Sequence, residues 1–301
     1  MTTLKDLRVR IKSVKSTQKI TSAMKMVATS KLRKAQDRLG HSREYAHKFK
    51  CTLRHALQNL QDIDPLPFLL TGNKEGATFI LAIATDRGLC GGYNTTITRE
   101  VKALVSHIHR NAKESDHTVM IAPIGRKIKN TLSRECEEKR INANLFEFQS
   151  LATLQSTPDF DQISGIAEEI LKLLEAGTIS RVHVVTGHLK SIISQPIEVQ
   201  QLVPLIDEAA TNDDKGSPYT FFEPKPEIIL RLMLMHNFIV QLNALFLENT
   251  ACEHAARMTA MDNATRNARD MIGDLQLRYN QGRQAQITNE LNEIISGSNA
   301  V

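Results

Sequence analysis

Residues 4–40 read "LKDLRVRIKSVKSTQKITSAMKMVATSKLRKAQDRLG", and this stretch decides the fold of the chain. It contains no proline, and its one glycine is Gly40. Helix interiors exclude proline and disfavour glycine. Apolar or small side chains recur every three or four residues: Leu4, Leu7, Ile11 and Val14, then Met24, Ala28, Leu32, Ala35 and Leu39. The stretch therefore predicts one long helix with a coiled-coil stripe.

The C-terminal end of the chain has the same character. All nine prolines lie between Pro65 and Pro226, and residues 227–301 contain three glycines. A second stripe follows there: Ala251, Ala255, Met258, Met261, Thr265, Ala268, Ile272, Leu275 and Tyr279. About 60 helical residues span roughly 90 Å, more than a compact core of this size needs. We expect the two terminal helices to pair antiparallel and to project from the body as a coiled coil.

The middle of the chain predicts an α/β domain. Apolar runs at 77–84, 117–125 and 181–189 are typical of buried strands, and 196–205 is typical of an edge strand. Helical patterns at 95–111, 126–135 and 161–177 separate them. Such alternation indicates a largely parallel sheet. The predicted fold class is α/β, with a Rossmann-like domain at 65–225 between coiled-coil helices at 1–64 and 226–301.

Composition excludes several classes of protein. No stretch approaches the roughly 18 consecutive apolar residues of a membrane span, and the N-terminus resembles neither a secretory signal nor a cleaved transit peptide. The four cysteines are far apart in sequence, which argues against zinc or a disulfide framework. We expect no metal and no thiol chemistry.

The basic charge lies in one segment. Residues 1–60 hold 15 Lys and Arg against three acids, a net of +12, although the whole chain is +5. A helix of this charge is expected to face an anionic partner. Nucleic acid is one possibility, although few aromatic residues are interleaved. A solvated basic face and a protein partner with acidic loops are two others, which the residues alone do not separate.

The stretch "ATDRGLCGGYNTTI" at 84–97 follows an apolar run and suggests a phosphate-binding turn. A phosphate loop of the Walker type needs a lysine after its last glycine, and here Tyr93 and Asn94 follow Gly92. Gly88 and Gly91 are three residues apart, whereas the dinucleotide pattern needs two. We therefore favour a tight turn with positive φ at glycine and close backbone packing. We predict no catalytic residue and no bound cofactor.

Three long motifs carry a resemblance to a known family. They are "IKSVKSTQKITSAMKMVATSKLRKAQDR" at 11–38, "TDRGLCGGYN" at 85–94 and "ARMTAMDNATRNARDMIGDLQLRYNQGRQAQITNELNEIISG" at 256–297. In this order they resemble the gamma subunit of F-type ATP synthases. The resemblance implies a central rotor shaft that couples proton-driven rotation of the membrane c-ring to conformational change at the catalytic beta subunits, for ATP synthesis and the reverse on hydrolysis. A basic coiled-coil protein that binds nucleic acid or acts as a scaffold is the alternative.

The resemblance also implies partners and places. Three alpha and three beta subunits would surround the shaft, with the epsilon subunit and the c-ring at its base. The chain itself would be non-catalytic and would bind no nucleic acid and no small-molecule substrate. It would be a peripheral membrane protein, held through the complex at the cytoplasmic face of a bacterial inner membrane, or at the matrix face if organellar.

Motif matching implies six contact residues. Met24, Lys25, Arg283, Gln284 and Thr288 match segments that contact beta subunits in the family. Glu223 matches the part of the base near the c-ring or epsilon. Phe222 stands where the family often has tyrosine, so a contact through a tyrosine hydroxyl is not expected there.

Overall fold

The computed structural model describes residues 3–58, 68–73, 75–111, 118–148, 158–205 and 226–298. The helices are α1 (Leu4–Gln58), α2 (Phe68–Thr71), α3 (Tyr93–Asn111), α4 (Arg126–Glu137), α5 (Phe160–Glu175) and α6 (Pro226–Ser298). The strands are β1 (Ala77–Ile83), β2 (Val119–Ile124), β3 (Asn144–Leu145), β4 (Ile179–Gly187) and β5 (Ile197–Val203).

The five strands form one sheet in the order β3-β2-β1-β4-β5. Neighbouring strands are parallel except β4 and β5, which pair antiparallel at one edge. All seven residues of β1, the central strand, are buried, as expected for a strand covered on both faces.

Alternation along β1 assigns side chains to two apolar clusters. Phe79, Leu81 and Ile83 pack in a cluster with side chains of α5 and with parts of α1 and α6. Ile80 and Ala82 pack on the other face, in a cluster with α3 and α4. The sheet is therefore the middle of three layers.

Two compact units make up the chain. One contains residues 1–30 and 257–301, and the other contains residues 31–256. Helices α1 and α6 each contribute to both units. These unit boundaries lie within the terminal helices, whereas the domain boundaries proposed from sequence lie at their inner ends.

The structure confirms the predicted fold class. Each of the four predicted strands and three predicted intervening helices is present, and β5 lies at an edge of the sheet as predicted. Two short elements were not predicted, α2 and β3. With four and two residues respectively, they are too short to show a period.

The first part of α6 is strongly apolar. By length and composition alone, α6 has a segment apolar enough to cross a membrane. Its large side chains Leu230, Leu234, Phe238 and Leu242 are instead buried in the core shared with β1 and α5. Core packing accounts for these four side chains, whereas Ile228 and Leu232 of the same segment are exposed.

Candidate functional site

The two-helix unit pairs the start of α1 with the later part of α6. Arg8 donates to the Tyr279 hydroxyl at 3.2 Å. Thr21 meets Thr265, Lys25 meets Asp262, and Leu4 lies beside Gly282. The two residue numbers of each pair add up to 286 or 287, so the helices are antiparallel in one constant register. The predicted antiparallel pairing of the terminal helices is confirmed within this unit.

Charged side chains join the helices at one level of this unit. The Lys25 ammonium lies 2.6 Å from Asp262 Oδ1, and Arg266 contacts the other carboxylate oxygen. These hydrogen bonds, first from Lys25 and then from Arg266, lower the pKa of Asp262. Lys25 was expected to contact beta directly, but in this unit its charge is directed to α6.

Next to these charges, two hydroxyls lie in the buried seam. The Thr265 hydroxyl donates to the Thr21 hydroxyl at 2.8 Å, and Thr21 donates to the Gln18 carbonyl at 3.1 Å. Each threonine is 9% exposed. Each hydroxyl also reaches a carbonyl of its own helix, Thr21 that of Gln18 and Thr265 that of Met261 at 2.7 Å, so the contact between the two hydroxyls adds to bonds that each helix makes alone.

The expected contact residues fall in two places rather than one. Met24 is half-buried beside Lys25, whereas Arg283, Gln284 and Thr288 are exposed. From Asp262 to Arg283 the helix advances about 30 Å, at about 1.5 Å per residue. The Thr288 hydroxyl donates to the Gln284 carbonyl of its own helix at 2.9 Å. Glu223 lies outside the described residues.

Beyond Gly282, α6 carries an exposed apolar face that the motif comparison did not single out. We call it the end face: Ile287, Leu291, Ile294 and Ile295, which are 48–68% exposed. Their spacing of four, three and one places them on one side of the helix. That spacing was visible in the sequence and could have identified the face. A helix with such a face normally packs against a partner.

The glycine-rich turn at 85–92 packs against α6 through Tyr93. The Tyr93 hydroxyl donates to Asn249 Oδ1 at 2.8 Å, and Asn249 donates to the Ala84 carbonyl at 3.3 Å. Burial raises the pKa of Tyr93 well above its ordinary value. Gly187 leaves room for this ring, since a Cβ built there would lie 2.4 Å from the Tyr93 hydroxyl. The turn therefore joins the sheet to α6.

The conformation of the turn differs in part from expectation. Gly91 has the predicted positive φ, 59°, but Leu89 also does, at 64°. Gly88 and Gly92 have no positive φ, and a Cβ on either would meet no atom closer than 4.0 Å. Positive φ at a glycine of this turn is confirmed at Gly91, whereas Gly88 and Gly92 serve neither positive φ nor close packing. Side-chain bonds between Thr85 and Asn94, at 2.8 and 3.0 Å, hold the turn instead.

A cavity of about 640 Å³ opens at the carboxyl ends of β1 and β2, where doubly wound sheets bind nucleotides. The N-terminus of α4 borders this cavity. There Asp86 accepts the backbone N–H of Arg126 at 3.1 Å, and Lys129 pairs with Glu147 at 2.8 Å. A carboxylate of the chain thus takes the position at the helix N-terminus that a phosphate would otherwise favour.

Glu248 on α6 is a buried carboxylate at the centre of an ionic cluster in the larger unit. Its carboxylate contacts Arg43 of α1, and it accepts the backbone N–H of Leu189 at 3.1 Å. His188 Nδ1 lies 2.8 Å from the same oxygen. The cluster connects both long helices to the segment that follows β4. Sequence reasoning missed it because its members are far apart in the chain.

Within the described ranges, no group of three His, Cys, Asp or Glu side chains is arranged around a common point.

The comparison with known proteins identifies the family. A family model described as ATP synthase matches residues 3–301. The chain is 40% identical over 304 residues to the ATP synthase gamma chain of Paramagnetospirillum magneticum, and 41% identical over 306 residues to that of Phenylobacterium zucineum. Both alignments cover all of each chain. The nucleic-acid alternative receives no support from these matches.

Solved structures show the same fold. A central-stalk chain of Tetrahymena thermophila mitochondrial ATP synthase matches with a TM-score of 0.57 at 24% identity, over 81% of this chain and 99% of that one. A rotor chain of Euglena gracilis mitochondrial ATP synthase matches with a TM-score of 0.56 at 18% identity, over 94% and 98%. With the family model and the full-length relatives, these matches show that the chain belongs to the ATP synthase gamma chain family.

Proposed function

We propose that this chain is the central rotor shaft of an F-type ATP synthase. The observation that carries the proposal is the exposed surface of the two-helix unit. Its seam is closed by Thr21, Ala268 and Ile272, yet large apolar side chains face outward along both helices. A two-helix unit with apolar side chains on its outer surface is suited to a surrounding protein sleeve.

The outward side chains combine apolar and basic character. Val9, Ile20, Met26 and Val27 are 57–66% exposed on α1, between its many lysines and arginines. Exposed charges attract at a distance but bind weakly one by one, because water screens them. Such a surface fits acidic loops of a partner that has to be passed and released as the shaft turns.

The partners follow from this role. Three alpha and three beta subunits surround the two-helix unit, and the epsilon subunit and the membrane c-ring contact the α/β unit. The complex holds the chain at the cytoplasmic face of the membrane. Glu223 is proposed to lie on the side of the c-ring or epsilon.

The chain acts without chemistry of its own. ATP is made and hydrolysed on beta, and the shaft biases each beta site because it contacts the open and closed conformations with different free energies. Asp86 at the N-terminus of α4 and the side-chain bonds of the glycine turn support a structural role for the α/β unit.

The residues proposed to meet beta act in two ways. Met24, Arg283, Gln284 and Thr288 contact beta directly. Lys25 acts through Asp262, because its ammonium is already directed to that carboxylate. The end face extends the second contact region toward the end of α6.

Co-purification tests the proposal. The tagged full-length chain is expressed with the alpha and beta subunits of its own enzyme. It should purify in a complex with both and carry the ATPase activity with it. The chain alone should bind no ATP by calorimetry at micromolar concentration. Purification free of alpha and beta, or tight ATP binding by the isolated chain, would contradict the proposal.

A further inference from the structure

A layer of polar side chains crosses the seam of the two-helix unit. We call it the polar layer: Thr21, Lys25, Asp262, Thr265 and Arg266. We propose that the polar layer sets the register of α1 against α6. The register determines which residue of α1 lies opposite which residue of α6 along the two-helix unit. The register concerns this chain alone; its consequence for rotation rests on the proposed function.

The apolar part of the seam discriminates poorly between registers. It consists of moderate or small side chains repeated every three or four residues, such as Val14, Ala268 and Ile272. A slip of seven residues moves Val14 from the level of Ile272 to that of Tyr279. At this level one apolar contact replaces another, so the packing of Val14 does not by itself select the observed register, although the same slip moves Ile11 from the level of Leu275 to that of Gly282.

The polar layer does not tolerate the same slip. A shift that moves Val14 to Tyr279 also moves Lys25 from Asp262 to the level of Arg269, which brings two cations together. It moves Thr21 from Thr265 to the level of Ile272. Both the charged and the hydroxyl pairs are lost in one step.

The opposite slip is disfavoured as well. It brings Asp262 to the level of Gln18 and Thr265 to that of Val14. Asp262 then loses Lys25, and the Thr265 hydroxyl faces an apolar side chain. Thr21 and Thr265 are buried and lose their mutual contact, although each keeps a carbonyl acceptor on its own helix, that of Gln18 or Met261. A single buried polar pair fixes register in coiled coils in the same manner.

Engineered disulfides between α1 and α6 report the register directly. The pair Leu4→Cys with Gly282→Cys reports the observed register, since a Cβ at Gly282 lies 3.0 Å from the Leu4 side chain. The pairs Ile11→Cys with Gly282→Cys and Leu4→Cys with Leu275→Cys report the two slips. In the observed register these partners are offset by about 10 Å along the helix, beyond disulfide reach.

The experiment uses the full-length chain in its own cells, with Cys51 and Cys136 replaced by serine because both are partly accessible. The layer variant carries Thr21→Val, Lys25→Ala, Asp262→Ala and Thr265→Val. After oxidation, cross-linked chains are separated on a non-reducing gel. We expect slipped cross-links to rise at least about tenfold in the layer variant, and the native one to fall.

A matched control removes hydroxyls outside the layer. Thr17→Val with Thr29→Val deletes two exposed hydroxyls that bond only to carbonyls of their own helix, at 3.2 and 2.9 Å. The control should keep the native cross-link alone. If the layer variant also keeps it alone, with slipped cross-links at the control level, the proposal is overturned.

Exchanging the charges of Lys25 and Asp262 gives a second readout, which remains usable if the layer variant does not fold. Lys25→Asp alone should increase slipped cross-links, and Lys25→Asp with Asp262→Lys should return them to the wild-type level. Absence of this rescue would contradict a register role. The cross-links are read without ATP or a membrane potential, so a failure of the rotor proposal does not affect them.

Discussion

At the scale of single residues, Gly187 is a position where a small change should be costly. An added Cβ would lie 2.4 Å from the Tyr93 hydroxyl and 3.0 Å from Cys252. Gly187→Ala should therefore lower the free energy of unfolding by about 3 kcal/mol. Gly92→Ala is the control, because a Cβ there meets nothing within 4 Å. Urea unfolding of the full-length chain measures both; equal losses in the two variants would contradict the described packing of Tyr93.

Asp262 is expected to make the stability of the chain sensitive to acid. Its pKa is lowered in the folded chain by Lys25 and Arg266. The stabilisation is therefore present above the ordinary aspartate pKa of about 3.9 and is lost as the pH falls through the lower folded pKa. Asp262→Asn should flatten the fall in melting temperature below about pH 4. An unchanged acid profile would show that the carboxylate is not held by these cations.

At the scale of elements, substitutions in the end face of α6 should weaken assembly with alpha and beta while leaving folding nearly unchanged. Leu291→Gln with Ile294→Gln replaces exposed side chains, so the melting temperature of the free chain should change little. Binding to the alpha and beta subunits should weaken, because apolar area is no longer buried there. Pull-down at rising salt measures the effect, with Asn289→Ser on the opposite side of the helix as control. Equal retention of both variants would exclude the end face from the interface.

The elements also show what the sequence could reveal. Proline-free flanks predicted α1 and α6, and the run at 77–84 predicted β1, because these signals are local. The partner of Lys25 is 237 residues away in sequence, so no local pattern predicted it. Leu89 in a left-handed conformation was equally hidden, since glycine usually takes that role. The spacing of the apolar residues also predicts the end face, whereas the motif resemblance indicated only Arg283, Gln284 and Thr288 in this part of α6.

At the scale of the whole molecule, Met24 should affect coupling rather than folding. The register places Met24 at the level of Asp262, where Lys25 and Arg266 already lie. Met24→Lys adds a third cation and should reduce the number of protons transported per ATP hydrolysed. The complex should still fold and assemble. Met24→Leu is the control of similar size. Membrane vesicles that give equal coupling ratios for both variants and wild type would rule out this role.

Rotation of the chain inside its complex is the most direct test of the central claim. The complex with alpha and beta subunits is fixed through beta, and a bead is attached to an exposed cysteine introduced in the α/β unit. The rotor account predicts ATP-driven turning in one direction, in steps of about 120° for a ring of three-fold symmetry. Full ATP hydrolysis with the bead stationary, while the attachment is shown to be intact, would contradict it.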